Sequence, residues 1–576
     1  MSSQTMTRTA VSRCFRVIRV FRGCLHTVNL ALLGFLATQA TESTAATPPA
    51  NRDELNNAVD AIIGQPRYAT ARWGVHVVSL DTGRELINRD AHRLFVPASN
   101  TKIFSGALAW HDLGPDFRIR TSLLAATSPD RSGTLHGDLV VYGRGDPSFT
   151  ARFHDGQVDQ ALEPLVQALR EAGVRRVTGD LVADESYFRS PHYGAGWEWD
   201  DFQYGYGAEV SALSVHENLV NVHVRPGDIP GQPVLAFLEP SAAGMSLETH
   251  AVTAPKGTPS SLRVVRSAAA NRIVLTGQYP VGGRAFSDTV AVHNAPAWFG
   301  SLLKQQLAQA GIPVAGRVRV ENAWTRAQSN ATDPAALNEI AFVESPPLRE
   351  VAEVMLAYSQ NQAAHLLYLQ AGVAQLAGER QQDTQDPEVE QDRQARERGN
   401  YLASRLAVFT PDVPDTTDDA AARAMKRFLA TVGIPSREVL IEEGSGLTRR
   451  NMVTPAAITT LLRFMQAQDE GRNLKPETRN LPARDSSFRE ALPFPGGPGT
   501  LTRRFPALVG GERLRAKTGY LRHTYALSGY LTTAAGEHLV FSVLANAAEY
   551  RDGQPSPRED LDALVNLLAA VPWQTE

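Results

Sequence analysis

Cysteine is almost missing from this chain. Cys14 and Cys24 are the only two, and both lie in the amino-terminal leader. A chain that sheds its leader keeps no thiol, which excludes disulfide staples, thiol catalysis and cysteine-ligated zinc together. Cys24 precedes the apolar run of the leader, whereas a lipid-modified cysteine would follow it. Long apolar runs are missing as well. Leu30 to Ala37 falls far short of the roughly 20 residues a spanning helix needs, and no later stretch qualifies. Peripheral contact with a membrane surface, or a leader kept as an amphipathic anchor, stays open. Charge of one sign is also missing: the net charge is -4, with Lys and Arg spread along the chain, so no basic stripe points to nucleic acid. No His-Glu-x-x-His occurs, and His216 and His223 lie apart in a β-rich stretch, so neither a metal nor another cofactor is expected.

What remains is ample for a large globular core, with 576 residues, 43% of them hydrophobic and 20% charged. Arg8, Arg13, Arg16, Arg19 and Arg22 precede the short apolar run, and Ala40, Ala45 and Ala46 follow it. This is the pattern of a secretory signal peptide over residues 1–46, so export is expected.

The chain is organised around Pro97-Ala98-Ser99-Asn100-Thr101-Lys102. A serine hydroxyl is a poor nucleophile at neutral pH and needs a base within hydrogen-bond reach. If a helix begins near Ala98, residues three apart share a face and Lys102 lies beside Ser99. Lysine accepts a proton only when burial or a second cation lowers its pKa, so a second cation is expected nearby. Ser301-Leu302-Leu303-Lys304 also fits Ser-x-x-Lys, and its surroundings read as an ordinary amphipathic helix.

Along the rest of the chain, Gly74 to Leu80 alternates as a strand, and Asp81-Thr82-Gly83 turns it into a hairpin with Arg84 to Asn88. Leu113 to Thr289 is β-rich with at least one helix, Val158 to Ala172, and reads as one or two inserted domains. Helical periodicity returns at Ala297 to Ala310 and Pro347 to Leu369, so the first domain is expected to resume at about residue 290 and run to 576. Gly378 to Arg398 is a polar insertion without apolar periodicity. Two strands, Tyr525 to Thr533 and His538 to Ala545, and a helix from Glu559 to Ala570 close the chain.

Two more triplets change the meaning of Ser99. Ser359-Gln360-Asn361 sits where the Pro347 to Leu369 helix admits a short turn, and Lys517-Thr518-Gly519 shortly precedes a strand. The order Ser-x-x-Lys, Ser-x-Asn, Lys-Thr-Gly is the signal of penicillin-interacting serine enzymes. Ser99 is then the nucleophile and Lys102 its base. Ser359 relays a proton to the departing amine, and Asn361 holds the substrate amide. Lys517 is the second cation, lowering the pKa of Lys102 and attracting a terminal carboxylate that Thr518 also bonds. The backbone N–H groups of Ser99 and of Tyr520, next to Gly519, form the oxyanion hole. Gly511 to Thr518 nearly matches a phosphate-binding loop, but Ala516 replaces its second glycine and a strand follows.

At these residues the chain resembles the D-alanyl-D-alanine carboxypeptidase/endopeptidase family, the low-molecular-mass class C penicillin-binding proteins. Further family-like stretches are Gly137-Asp138-Leu139 with Gly145-Asp146-Pro147-Ser148, Gly179 to Asp184, Gly196 to Asp201, Ser211 to Ser214 with Asn218, and Gly444 to Leu447 through Asn451 to Pro455. The resemblance implies an α+β fold: a β-lactamase/transpeptidase-like domain, an antiparallel sheet with a helical cluster, interrupted by two nested β-rich domains. The catalytic domain would comprise residues 51–112 and 290–576, with 113–289 inserted. It also implies a periplasmic enzyme acting on peptidoglycan stem peptides and cross-links at D,D bonds, with β-lactams as covalent inhibitors. Gln360, His365, Glu443 and Tyr520 depart from the family pattern. Two alternatives stand beside this reading. One is a serine β-lactamase, which lacks support because no Glu-x-x-Leu-Asn follows Asn361. The other is a catalytically silent wall-binding or β-lactam-sensing protein.

Overall fold

The hairpin expected at Gly74 forms between Arg72–Ser79 and Glu85–Arg89, which pair antiparallel. In the computed structural model, which describes residues 48–241, 244–328, 333–383, 416–471, 487–550 and 553–576, it makes one side of a five-stranded sheet. The signal segment, most of the polar insertion and its continuation to residue 415 lie outside these residues. Strand order runs Glu85–Arg89, Arg72–Ser79, His538–Asn546, Thr524–Thr532, Leu514–Leu521, antiparallel throughout.

The two last strands alternate strictly, as a sheet buried on both faces requires. Ala526, Tyr530, Val540 and Leu544 face a helical cluster, whereas Leu527, Leu531, Phe541 and Val543 face the helices Arg52–Ile63 and Pro557–Ala569. A fully buried leucine or phenylalanine of this kind contributes about 2 kcal/mol. The cluster surrounds the helix Thr101–Leu113, in which every residue from Thr101 to Trp110 is buried. A helix with no polar face has to be central, and Gly114, at φ 87°, ends it before Pro115. The interrupted helix is also found. Leu348–Tyr358 stops at Ser359, a left-handed cap at φ 58°, and Asn361–Asp383 starts anew.

The intervening chain builds a second five-stranded sheet in the order Val318–Glu321, Leu181–Asp184, Leu139–Tyr142, Arg120–Ala125, Asn338–Glu344, with parallel and antiparallel neighbours. The helices Glu163–Glu171 and Ala295–Gln309 share its core through Leu165, Leu169, Phe299 and Leu303. A three-stranded sheet, Phe286–Ala291, Leu219–Arg225, Leu235–Glu239, joins the same core through Val220, Val222 and Val224.

These pairings correct the expected boundary near residue 290. The Ala295–Gln309 helix and the strands Val318–Glu321 and Asn338–Glu344 belong with the second sheet, and the chain returns to the helical cluster only at Leu348. Apolar periodicity identified the helix, but periodicity carries no information about which sheet a helix covers. Among the described residues no helix is long and apolar enough to cross a membrane.

Candidate active site

Ser99 sits in a 3-10 turn, Ala98–Asn100, that runs into the central helix. Lys102 is one turn on, completely buried, and its Nζ lies 3.0 Å from Ser99 Oγ. The same Nζ donates to Asn361 Oδ1 and to the Ser445 carbonyl, both at 2.6 Å. A neutral amine has two N–H bonds and one lone pair. With both N–H bonds held by Asn361 and Ser445, the lone pair is left for the Ser99 hydroxyl. Burial lowers the Lys102 pKa to about 7, with the Glu443 carboxylate pulling the other way.

Lys517 is the second buried lysine. Its Nζ donates to Ser359 Oγ at 2.9 Å and to the Thr518 carbonyl at 2.8 Å. Burial first, then the charges of Lys102 and Arg504, hold its pKa well below the ordinary lysine range. Burial is the cause that lowers Lys102, and burial ahead of the Lys102 charge lowers Lys517, so the second buried amine expected from the sequence is present beside the first motif.

Main-chain contacts hold the two halves in register. Asn100 Nδ2 donates to the Lys517 carbonyl at 3.0 Å, tying the Ser99 turn to the Leu514–Leu521 strand. That strand is the edge of its sheet, and Gly519 lies against the turn. A Cβ at Gly519 would stand 2.7 Å from the Pro97 carbonyl oxygen and 3.2 Å from the Ser99 nitrogen, so only glycine allows the approach. Tyr520 follows with its side chain 67% exposed, packed on Tyr525 at a ring distance of 5.4 Å. Every sequence-predicted residue, Ser99, Lys102, Ser359, Asn361, Lys517, Thr518, Gly519 and Tyr520, therefore belongs to this one turn, helix junction and strand edge or its hydrogen-bonded neighbours.

The second Ser-x-x-Lys does not join them. Ser301 Oγ donates to Ala297 O of its own helix at 2.7 Å, and Lys304 Nζ donates to the Gly316 carbonyl.

Three contributors carried no motif. Thr500 Oγ1 accepts from Thr518 Oγ1 at 3.0 Å, and the backbone at Gly499 passes so close to Ala357 that a Cβ would overlap its carbonyl. The run Gly496 to Thr500 signals a turn by composition, not its destination. Asn361 Nδ2 donates to the Tyr206 carbonyl at 2.7 Å, so the inserted chain reaches the site. Glu443 accepts the N–H groups of Ser445 and Gly446 at 2.7 and 2.6 Å, fixing the Ser445 carbonyl that Lys102 uses. His365, another of the departures, accepts the Gly444 N–H through Nδ1 at 3.1 Å and places Nε2 3.2 Å from Asp418.

Residues 55–394 and 401–571 match the family model of D-Ala-D-Ala carboxypeptidase 3 (S13). The chain belongs to that family. It is accordingly a peptidase, a hydrolase of the D-Ala-D-Ala carboxypeptidase class. The S13 chain is 28% identical over 551 residues to the D-alanyl-D-alanine carboxypeptidase of Actinomadura sp. (strain R39), covering 94% of this chain and 89% of that one. Its identity to D-alanyl-D-alanine carboxypeptidase DacB of Haemophilus influenzae is 26% over 457 residues, 78% of this chain and 80% of that one. The crystal structure of penicillin binding protein 4 (dacB) from H. influenzae superposes with a TM-score of 0.67 at 23% identity, over 89% of this chain and 99% of the other. A second structure of that protein, complexed with a β-lactam, superposes at 0.62 and 21% identity, over 88% and 97%. The α+β, transpeptidase-like S13 fold is thereby established for this chain.

Proposed function

We propose that the chain is an exported, serine-type D,D-carboxypeptidase and D,D-endopeptidase that cleaves D-Ala-D-Xaa bonds of peptidoglycan peptides in the periplasm and is acylated by β-lactams. The supporting observation is the environment of Lys102 Nζ, with two acceptors for its N–H bonds and Ser99 Oγ at 3.0 Å. Ser99 Oγ attacks the substrate carbonyl carbon while its proton passes to the Lys102 lone pair. The developing oxyanion is met by the N–H groups of Ser99 and Tyr520, each such donor being worth about 3 kcal/mol of transition-state stabilisation. The departing amine takes a proton through Ser359, which Lys517 holds by the hydrogen bond at 2.9 Å. Water then attacks the acyl-enzyme by the same steps in reverse. Thr518 and Lys517 receive the terminal carboxylate, and Asn361, oriented by the Tyr206 carbonyl, holds the substrate amide.

The separate cores of the two five-stranded sheets support a catalytic domain interrupted by nested inserted domains. The arginine-rich leader before Leu30 supports export.

Labelling with a fluorescent penicillin, followed by turnover of a D-Ala-D-Ala peptide, tests the reading. A carboxypeptidase keeps the label for long periods and releases D-alanine. Rapid loss of label marks a β-lactamase, and a stable label without peptide turnover marks a sensor; either outcome refutes the proposal.

A further inference from the structure

The inserted chain carries a groove that the chemistry at Ser99 does not use. It encloses about 550 Å³ between the edge strand Leu235–Glu239 and the helix Ala295–Gln309. Such a volume is within the range of small-molecule sites. The helix presents Leu302, Gln305, Gln306 and Gln309 to it, spaced three and four apart and so on one face. Gln306 donates its amide to the Asp159 carbonyl at 2.9 Å, and its Oε1, also buried, has no protein donor. Phe237 stands at the groove mouth, 61% exposed. One face of its ring stacks on His223 at 4.7 Å, and His223 is held by Ser287 at 2.8 Å and Glu239 at 2.9 Å.

The charges at the groove select a class of ligand. Asp159, Glu163 and Glu239 line it against Arg170, which is already engaged with Glu163. An anion is disfavoured there. Planar amides, carboxylates and a braced aromatic ring suit a neutral molecule rich in hydroxyl and acetamido groups. The sheet that borders the groove also reaches toward the site. His223 and Phe237 share the outer face of the three-stranded sheet with Asn221, Glu239 and Thr289 in the adjacent register row. Thr289 Oγ1 packs against Gly205, the neighbour of Tyr206, whose carbonyl orients Asn361. Two residues along a strand span about 7 Å, so this face forms a short track from the rim of the site to Phe237.

We infer that this groove binds an N-acetylated glycan, the saccharide strand that carries the stem peptides, and holds the polymer while a peptide reaches Ser99. The inference rests on the reading of the chain as a peptidoglycan peptide hydrolase, and the test separates the two. Triacetylchitotriose is the binding probe, followed by saturation-transfer NMR on the intact protein. D-alanine release is measured in parallel from isolated sacculi and from a soluble pentapeptide. Phe237→Ala and Gln309→Ala both alter exposed side chains. Each is expected to abolish or weaken saccharide binding and to slow release from sacculi by up to about ten-fold, the range a lost aromatic contact accounts for, with the soluble peptide unaffected. Absence of saccharide binding by the wild type would overturn the inference, as would binding or sacculus turnover unchanged in both variants. If the wild type fails on the soluble peptide, the enzymatic reading fails, and the saccharide measurement still decides the groove.

Discussion

Two helices of this protein carry Ser-x-x-Lys, and only one makes a site. On Thr101–Leu113, the lysine is wholly buried, and its amine finds the Asn361 side chain, the Ser445 carbonyl and the Ser99 hydroxyl. On Ala295–Gln309, the serine bonds a carbonyl of its own helix and the lysine bonds Gly316. The residue types and spacing are the same. What differs is what the rest of the chain brings to them: a sheet edge and two loops in one case, the flank of another sheet in the other. The chemistry of the motif is thus a property of its burial and acceptors, not of its spacing.

The largest effect expected from that contrast is Ser99→Ala, which should abolish penicillin labelling, while Ser301→Ala labels as the wild type does. Mass spectrometry of the labelled peptide checks both, and label retained in the first variant would end the assignment. Lys102→Ala should slow acylation by about 10³ to 10⁴, the worth of a positioned base, whereas Lys304→Ala should leave it near normal. Stopped-flow acylation rates decide between them. Gly519→Ala tests the strand edge. Its added Cβ would press on the Pro97 carbonyl and the Ser99 nitrogen, displacing an oxyanion donor, and acylation should fall by about 10² to 10³, with the melting temperature lowered as well.

The pH profile carries the smallest effects and the finest distinction. Lys102, lowered to about 7, is protonated below that pH and neutral above it, so acylation should rise through about pH 7 and then level. Glu443 opposes this lowering, so Glu443→Gln should move the rising limb toward acid. Lys517→Met removes the hydrogen bond to Ser359 and should lower turnover, while burial, the cause that lowers Lys102, remains and the limb should stay in place. An alkaline displacement in that variant would restore the second-cation role expected from sequence.

Much of this site is legible in the sequence because its chemistry resides in side chains with fixed local spacing. Ser99 and Lys102 are one helical turn apart, Ser359 and Asn361 flank a turn, and Lys517 leads into a strand. The missing parts act through backbone or through the path of a loop. The carbonyls of Ser445 and Tyr206 have no residue signature, and Thr500 is one threonine among many until Gly499 is seen against Ala357. Glu443 reads as a departure from pattern, yet it keeps two carboxylate oxygens on the N–H groups of Ser445 and Gly446. The boundary placed near residue 290 rather than at Leu348 failed for a related reason: a helix face records that it is buried, not beneath which sheet.

The order of strands in the first sheet has a consequence for how the enzyme comes to exist. Arg72–Ser79 pairs along its whole length with His538–Asn546, a strand far removed in sequence. Contacts of such sequence separation form late and slowly, because a long loop must close before they return any energy. The inserted sheet, whose strands all lie between Arg120 and Glu344, has no such dependence and is free to assemble first. The Ser99 turn cannot meet the Lys517 strand until the chain has been made through Leu514–Leu521. A chain stopped short of that strand therefore holds Ser99 and Lys102 without the sheet edge against which they lie.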